Sequence, residues 1–332
     1  MSRFNRLMHY SLLVAILVGV AATAAEATEP GKAPVEFAEG DGHITIAIDG
    51  LPMAVYCYHD DKITRPFFAH VRAPDGLQVT RHHPPIDGQD LVDHGTFHPG
   101  IWMSFGDING SDYWRIMAPV RHAKFVEPPK GGPGRGSFAV LNRYVDQKDP
   151  AKTVCEEVAR FTFVDRPEGF MLVWDSTFSS DHEFAFGDQE EMGLGFRVAT
   201  PLRGEKKSEG GVPPGNGRIL DSRGRKNGNE IWGNSADWCD YSGTMAGQHV
   251  GMTIFCHPQN FRPSWFHARD YGLLEANPFG RQAFGKGDKS SVVVKPGEKL
   301  RLRYGVLVHS GPEKSEVDCA AAYKDYLQLS GT

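Results

Sequence analysis

Arg166-Pro167-Glu168-Gly169, followed by Phe170-Met171-Leu172-Val173-Trp174-Asp175-Ser176-Thr177-Phe178, is the stretch on which the fold turns. A turn signal leads into a run dense in aromatic and β-branched side chains, which reads as a strand leaving a hairpin. Residues 154–164 supply the strand before the turn, and 137–145 and 120–126 precede it at regular intervals. Toward the N-terminus, His43-Ile44-Thr45-Ile46-Ala47-Ile48-Asp49-Gly50 alternates with period two and closes on a turn, with residues 51–58 returning. Residues 67–71 form another strand, ended by Ala73-Pro74-Asp75-Gly76, and 193–199, 250–256, 291–294 and 300–309 complete the series. Strands so spaced, with no helices alternating between them, predict a mostly β protein built as one large antiparallel β-sandwich. A single helical stripe, Val317, Ala320, Ala321, Tyr323, Lys324, Tyr326 and Leu327, predicts one C-terminal helix from near Ser315 to Ser330-Gly331, packed outside the sheets.

Composition agrees with that reading. The 332 residues hold 38 Gly and 22 Pro without a collagen period, so turns are plentiful and long helices few. A net charge of −5 with no Lys/Arg block makes nucleic acid and anionic membranes poor partners. Arg3 and Arg6, the apolar run 12–22 and the small-x-small patterns at 22–24 and 25–27 predict a cleavable signal peptide over residues 1–27. The run is too short to span a bilayer, and nothing later approaches a membrane span, so one exported domain is expected over 28–332, periplasmic or extracellular. Without the leader, 34 basic residues face 40 acidic ones, a balance of −6. Cys57, Cys155, Cys239, Cys256 and Cys319 allow up to two bridges or five buried thiols, and their spacing excludes a zinc ribbon.

Three long loops are expected, at 82–100, 203–234 and 259–287, and the chemistry-bearing residues gather in the first and third. His82, His83, His94 and His98 fall in the first. Histidine is the side chain best suited to proton transfer near neutrality and the commonest metal ligand. His94 and His98 have the i, i+4 spacing of a zinc helix, but Gly95, Pro99 and Gly100 argue against a helix, so any metal would be held by His82, His83, His94 and His98 from a loop. Gly106-Asp107-Ile108-Asn109-Gly110-Ser111-Asp112-Tyr113-Trp114 follows. Asp188-Gln189-Glu190-Glu191 offers paired carboxylates of which only one can face a cleft, because neighbouring strand residues point to opposite faces. Trp265-Phe266-His267-Ala268-Arg269-Asp270 combines an aromatic face, a titratable group, a fixed cation and a carboxylate, the components of a sugar or uronate subsite.

Asp93-His94…His98-Pro99-Gly100-Ile101-Trp102, with the 106–114 segment, resembles the signature of a secreted bacterial domain of unknown function labelled "methane oxygenase (PmoA)". Residues 188–197, Trp232-Gly233, Trp238, Asp240-Tyr241-Ser242-Gly243, 269–272 and Asn277-Pro278-Phe279-Gly280 extend the match over most of the mature chain. Where that family has Asp-His-Pro-His-His-Arg-Gly, residues 93–100 lack one histidine and the arginine. The resemblance implies a metal-dependent oxygenase as one alternative function and assigns no catalytic residue.

The residues themselves point to an exported carbohydrate-active enzyme, a lyase, hydrolase or mutarotase-like epimerase working by acid–base chemistry. Its expected fold is the large twisted double sheet of galactose-mutarotase-like proteins. His94, His98, His267, Glu190 and Glu191 are the expected catalytic groups. Trp114, Asp107, Asn109, Trp265, Arg269 and Asp270 are the expected substrate contacts, and this chemistry requires no cofactor. The expected partner is a small molecule or glycan, and a non-catalytic glycan-binding module is the other alternative. The segments after His82, from Asp107 to Trp114 and from Trp265 to Asp270 are expected to meet on one face.

Overall fold

The computed structural model describes residues 32–208 and 210–331; the expected leader, 1–27, lies outside the described residues. In chain order the strands are β1 (Pro34–Gly40), β2 (His43–Ile48), β3 (Leu51–Cys57), β4 (Phe67–Ala69), β5 (Ile101–Phe105), β6 (Val120–Lys130), β7 (Gly132–Pro133), β8 (Arg135–Val145), β9 (Thr153–Arg166) and β10 (Gly169–Ser179). They continue as β11 (Phe184–Phe186), β12 (Met192–Arg197), β13 (Arg218–Asp221), β14 (Trp238–Met245), β15 (Gln248–Cys256), β16 (Trp265–Arg269), β17 (Leu273–Asn277), β18 (Val292–Val294) and β19 (Leu300–Pro312). Helices α1 (Asn227–Ile231) and α2 (Cys319–Ser330) complete the set.

Two large antiparallel sheets result. The nine-stranded sheet runs β16-β17-β12-β5-β4-β3-β2-β1-β7 and the eight-stranded sheet β13-β14-β15-β19-β10-β9-β8-β6. The β9–β10 hairpin folds about the 166–169 turn as the sequence predicts, with Gly169 opposite Arg166 and Trp174 opposite Phe161. The sheets face each other across an aromatic core: the Tyr56 and Phe161 rings lie 5.0 Å apart and those of Phe68 and Trp174 5.6 Å apart, tilted or edge-on.

Helix α2 lies on the outer face of the eight-stranded sheet, where Ala322 and Tyr326 pack with Met171, Phe255 and Leu307. It starts at Cys319 rather than near Ser315, because the Asp318 carboxylate caps it by accepting the Ala321 N–H at 2.9 Å. All five cysteines are free thiols, Cys57 half-buried and the others buried.

The expected loop at 259–287 contains two strands, β16 and β17, and that at 203–234 contains β13 and α1. Strands β16 and β17 were missed because each has only five residues and two core side chains: Phe266, Ala268, Leu274 and Ala276 enter the core, whereas His267, Arg269, Glu275 and Asn277 take the other face. That other face holds the site.

Candidate functional site

Register builds the floor of the site. Trp102 on β5 lies opposite Gly195 on β12, Gly195 opposite Glu275 on β17, and Glu275 opposite His267 on β16. These four positions form one row on the face turned away from the core. Gly195 keeps the row level, since a β-carbon there would sit 3.3 Å from the Trp102 ring and 3.4 Å from Glu275 Cβ.

The 82–100 loop folds over this floor on buried arginines. Arg81, 1% exposed, donates to four loop carbonyls: Leu91 at 2.7 Å, Asp93 at 2.6 Å, and His94 and His98 at 3.2 Å each. Arg65, also buried, joins the Phe97 carbonyl to those of Tyr113 and Trp114. Between them one helical turn closes, with the His98 N–H on the His94 carbonyl at 2.9 Å. That turn stacks His94 on His98 at 4.8 Å and 11°, and His98 lies on Trp102 at 5.1 Å and 8°.

Asp93 and His94 form a hydrogen-bonded pair beside a cleft. Arg197 grips the Asp93 carboxylate through two hydrogen bonds, 2.9 and 3.1 Å, and Asp93 in turn meets His94 Nδ1 at 2.7 Å. Burial acts to raise the Asp93 pKa, but His94, Arg197 and Arg81 outweigh it and hold the carboxyl far below the usual range. Asp93 therefore stays ionised and accepts from the His94 Nδ1–H, so that Nε2 is the ring nitrogen left free of this pair. The His94 side chain is 46% exposed and its backbone sits at φ 50°, a left-handed conformation that a non-glycine residue adopts at a cost. It lines a cleft of about 380 Å³ with Leu91, Asp93, Glu205, Arg269, Asp270 and Tyr271.

A second network aims Arg269. Its Nε–H donates to His267 Nε2 at 3.0 Å, so the His267 proton is on Nδ1, which faces Glu275 at 3.2 Å. Burial, then the Arg269 charge, pushes the His267 pKa down to about 3, and burial raises that of Glu275 well above its usual value. Glu190 meets Arg269 Nη2 at 3.2 Å, and the Arg269 guanidinium lies 5.7 Å over Trp232.

Only parts of the three expected segments come together on this face, and His98 and His267 do not line the cleft. His94, Arg269 and Asp270 line the cleft, and His98 touches Trp102 and, edge-on at 5.9 Å, Trp114. Several expected roles need correction. His98 is 3% exposed and stacked between rings, so it belongs to the floor rather than to a free loop. His267 has both ring nitrogens engaged and serves to orient Arg269. Glu190 faces the site, while Glu191 pairs with Arg115. Trp114 is buried at 1% exposure and offers no stacking surface. Asp107 Oδ1 holds a turn by capping the Gly110 N–H at 2.8 Å, and Asn109 Oδ1 ties that turn to β11 by accepting the Ala185 N–H at 2.8 Å. Asp270 also accepts the Gly228 N–H at 2.9 Å, and Trp265 lies further along β16.

The four histidines suspected of binding metal do not converge. His82 bonds Asp90 at 2.8 Å and His83 approaches Asp60 at 3.5 Å. Among the described residues no three His, Cys, Asp or Glu side chains are grouped to hold an ion. Sequence reasoning missed Arg65, Arg81, Arg197, Tyr271 and Glu275, because a buried arginine or glutamate looks like a surface one until its partners are known.

The burial of His98 gives a pH test. Burial, then Arg197, depresses its pKa well below normal, so the unfolded chain takes up a proton near pH 6.5 that the native protein resists. Its stabilising contribution is present above that pH and is lost as pH falls. The stability advantage of wild type over His98→Asn should therefore shrink by up to ~2 kcal/mol between pH 7 and 5 in urea titrations. An unchanged gap would mean that His98 protonates freely in the folded state.

Among solved structures, the GH36 alpha-galactosidase of Geobacillus stearothermophilus is 10% identical with a TM-score of 0.42, covering 84% of this chain and 41% of that one. A galactose mutarotase-like protein from Lactobacillus casei is 8% identical at 0.36, covering 83% and 100%. A GalM/aldose epimerase homologue from C. elegans is 9% identical at 0.33, covering 84% and 99%. This chain thus spans less than half the galactosidase's length. No curated protein matches it. A sequence family does match, over residues 43–324, and the chain belongs to it: the family of unknown function DUF6807.

Proposed function

We propose that the protein is a carbohydrate-active enzyme that moves a proton on a sugar bound in the cleft beside His94. The observation that carries this reading is the clamped dyad: a carboxylate held ionised by two arginines, orienting an exposed histidine at the mouth of a cleft. His94 Nε2 takes a proton from a sugar hydroxyl or an acidic C–H, Asp93 stabilises the imidazolium, and the proton is then returned to the product. Arg269 lies where it can stabilise the oxygen that gains charge. Asp93 is held ionised, so the dyad supplies a base and not a carboxylic acid, and we read its chemistry as that of an epimerase or lyase. The metal-dependent alternative finds no ligand set among the described residues.

Single-turnover assays at high enzyme concentration, on a panel of mono- and oligosaccharides including uronates, should yield an epimerised or eliminated product. Binding without product would replace the enzyme reading with that of a glycan-binding module, and no binding would remove both. We also infer that residues 1–27 are a leader removed on export. N-terminal sequencing of the protein from its native host should begin near Ala25 or Thr28, and a chain starting at Met1 would overturn this.

A further inference from the structure

Strand β16 is the edge of the nine-stranded sheet, and its alternate residues Trp265, His267 and Arg269 share the outward face. From Arg269 in the cleft to Trp265 is four residues, about 13 Å along the strand, more than the length of one pyranose ring. Half-buried Trp232 and Trp265 border that distance, and the buried Phe284 packs against both. Phe284 lies 5.3 Å from Trp232, 6.3 Å from His267 and 6.3 Å from Trp265. At the far end the Arg262 guanidinium sits 5.5 Å over Trp265 and 5.4 Å over Phe261, which is 38% exposed.

Arg262 donates to the Pro278 carbonyl at 3.3 Å and has no carboxylate within ion-pair distance among the described residues. The like charge of Arg281 adds to its field, and the Asp188 carboxylate, beyond ion-pair distance, offsets part of it. An unpaired guanidinium lying over a half-buried indole offers paired donors for a carboxylate, and the part of the indole it leaves uncovered suits sugar C–H groups. A peptide strand is disfavoured here, because the edge backbone is already taken: the Gly233 N–H bonds the Phe266 carbonyl at 2.8 Å and the Phe266 N–H bonds that of Asn234 at 3.0 Å.

We propose that this strip is a second subsite of the cleft, and that the substrate is an acidic oligosaccharide with a uronate ring on Trp265 and its carboxylate on Arg262. The proposal rests on the sugar-active reading of the His94 cleft and extends it to substrate length and charge. Calorimetry on the mature protein with galacturonate, trigalacturonate and neutral xylotriose tests it. Trigalacturonate should bind at least about tenfold tighter than the monomer and than xylotriose. Trp265→Ala should erase the gain from chain length, and Arg262→Gln the preference for the acidic trimer, both with monomer binding unchanged. Equal affinity for monomer and trimer, or a gain that survives Trp265→Ala, would overturn the subsite while leaving the cleft reading intact. Equal gains with xylotriose would overturn the uronate assignment, and failure of all three sugars to bind would count against cleft and subsite together.

Discussion

His94→Asn should lower turnover by about 10²–10⁴-fold, the range expected when a general acid–base group is removed. Asparagine is the informative replacement because it tolerates the left-handed backbone at this position, where alanine would add strain of its own. The side chain is nearly half exposed and donates one hydrogen bond, so stability should change by no more than ~1 kcal/mol. Activity and stability are thereby separated. A variant that keeps full turnover, or that loses activity only in step with unfolding, would make the dyad a structural tie. Asp93→Asn should fail differently. It should lose activity and also stability, because Arg81 and Arg197 would face a neutral group where they now share a carboxylate.

Arg81→Met should cost about 3–5 kcal/mol, the largest stability loss expected from a single substitution at the site. Methionine fills much of the volume but leaves four loop carbonyls without the donor that gathers them. At roughly 2–4 °C per kcal/mol for a domain this large, the Tm should fall by about 10 °C. Arg135→Met, exposed on β8, is the control and should stay within ~0.5 kcal/mol. If both variants melt alike, the loop is held by its ring stack and not by Arg81. Turnover should fall with Arg81→Met even well below the new Tm, since the His94 turn hangs from the same side chain.

Local chemistry in the sequence was enough for the scaffold. The turn at Arg166–Gly169 and the period-two runs around it define hairpins whose partners are neighbours in the chain, so strand positions and antiparallel pairing are legible there. The helical stripe near the C-terminus is equally local, although its start had to await the Asp318 cap. Strands β16 and β17 were obscured because five residues with two core side chains each are too short a run to show a period.

The amino-acid sequence determined by itself that this is a β-rich chain with its histidines, tryptophans and carboxylates concentrated in a few segments. Only the tertiary structure decided which of them share a cleft. Arg197 meets Asp93 across 104 residues of chain, Arg269 meets Glu190 across 79, and Trp102, Gly195, Glu275 and His267 are brought into one row by the register of four strands. Periodicity records which face a residue takes and not what stands opposite. The choice between Glu190 and Glu191, the burial of Trp114 and His98 and the role of the hidden arginines therefore had no local signature.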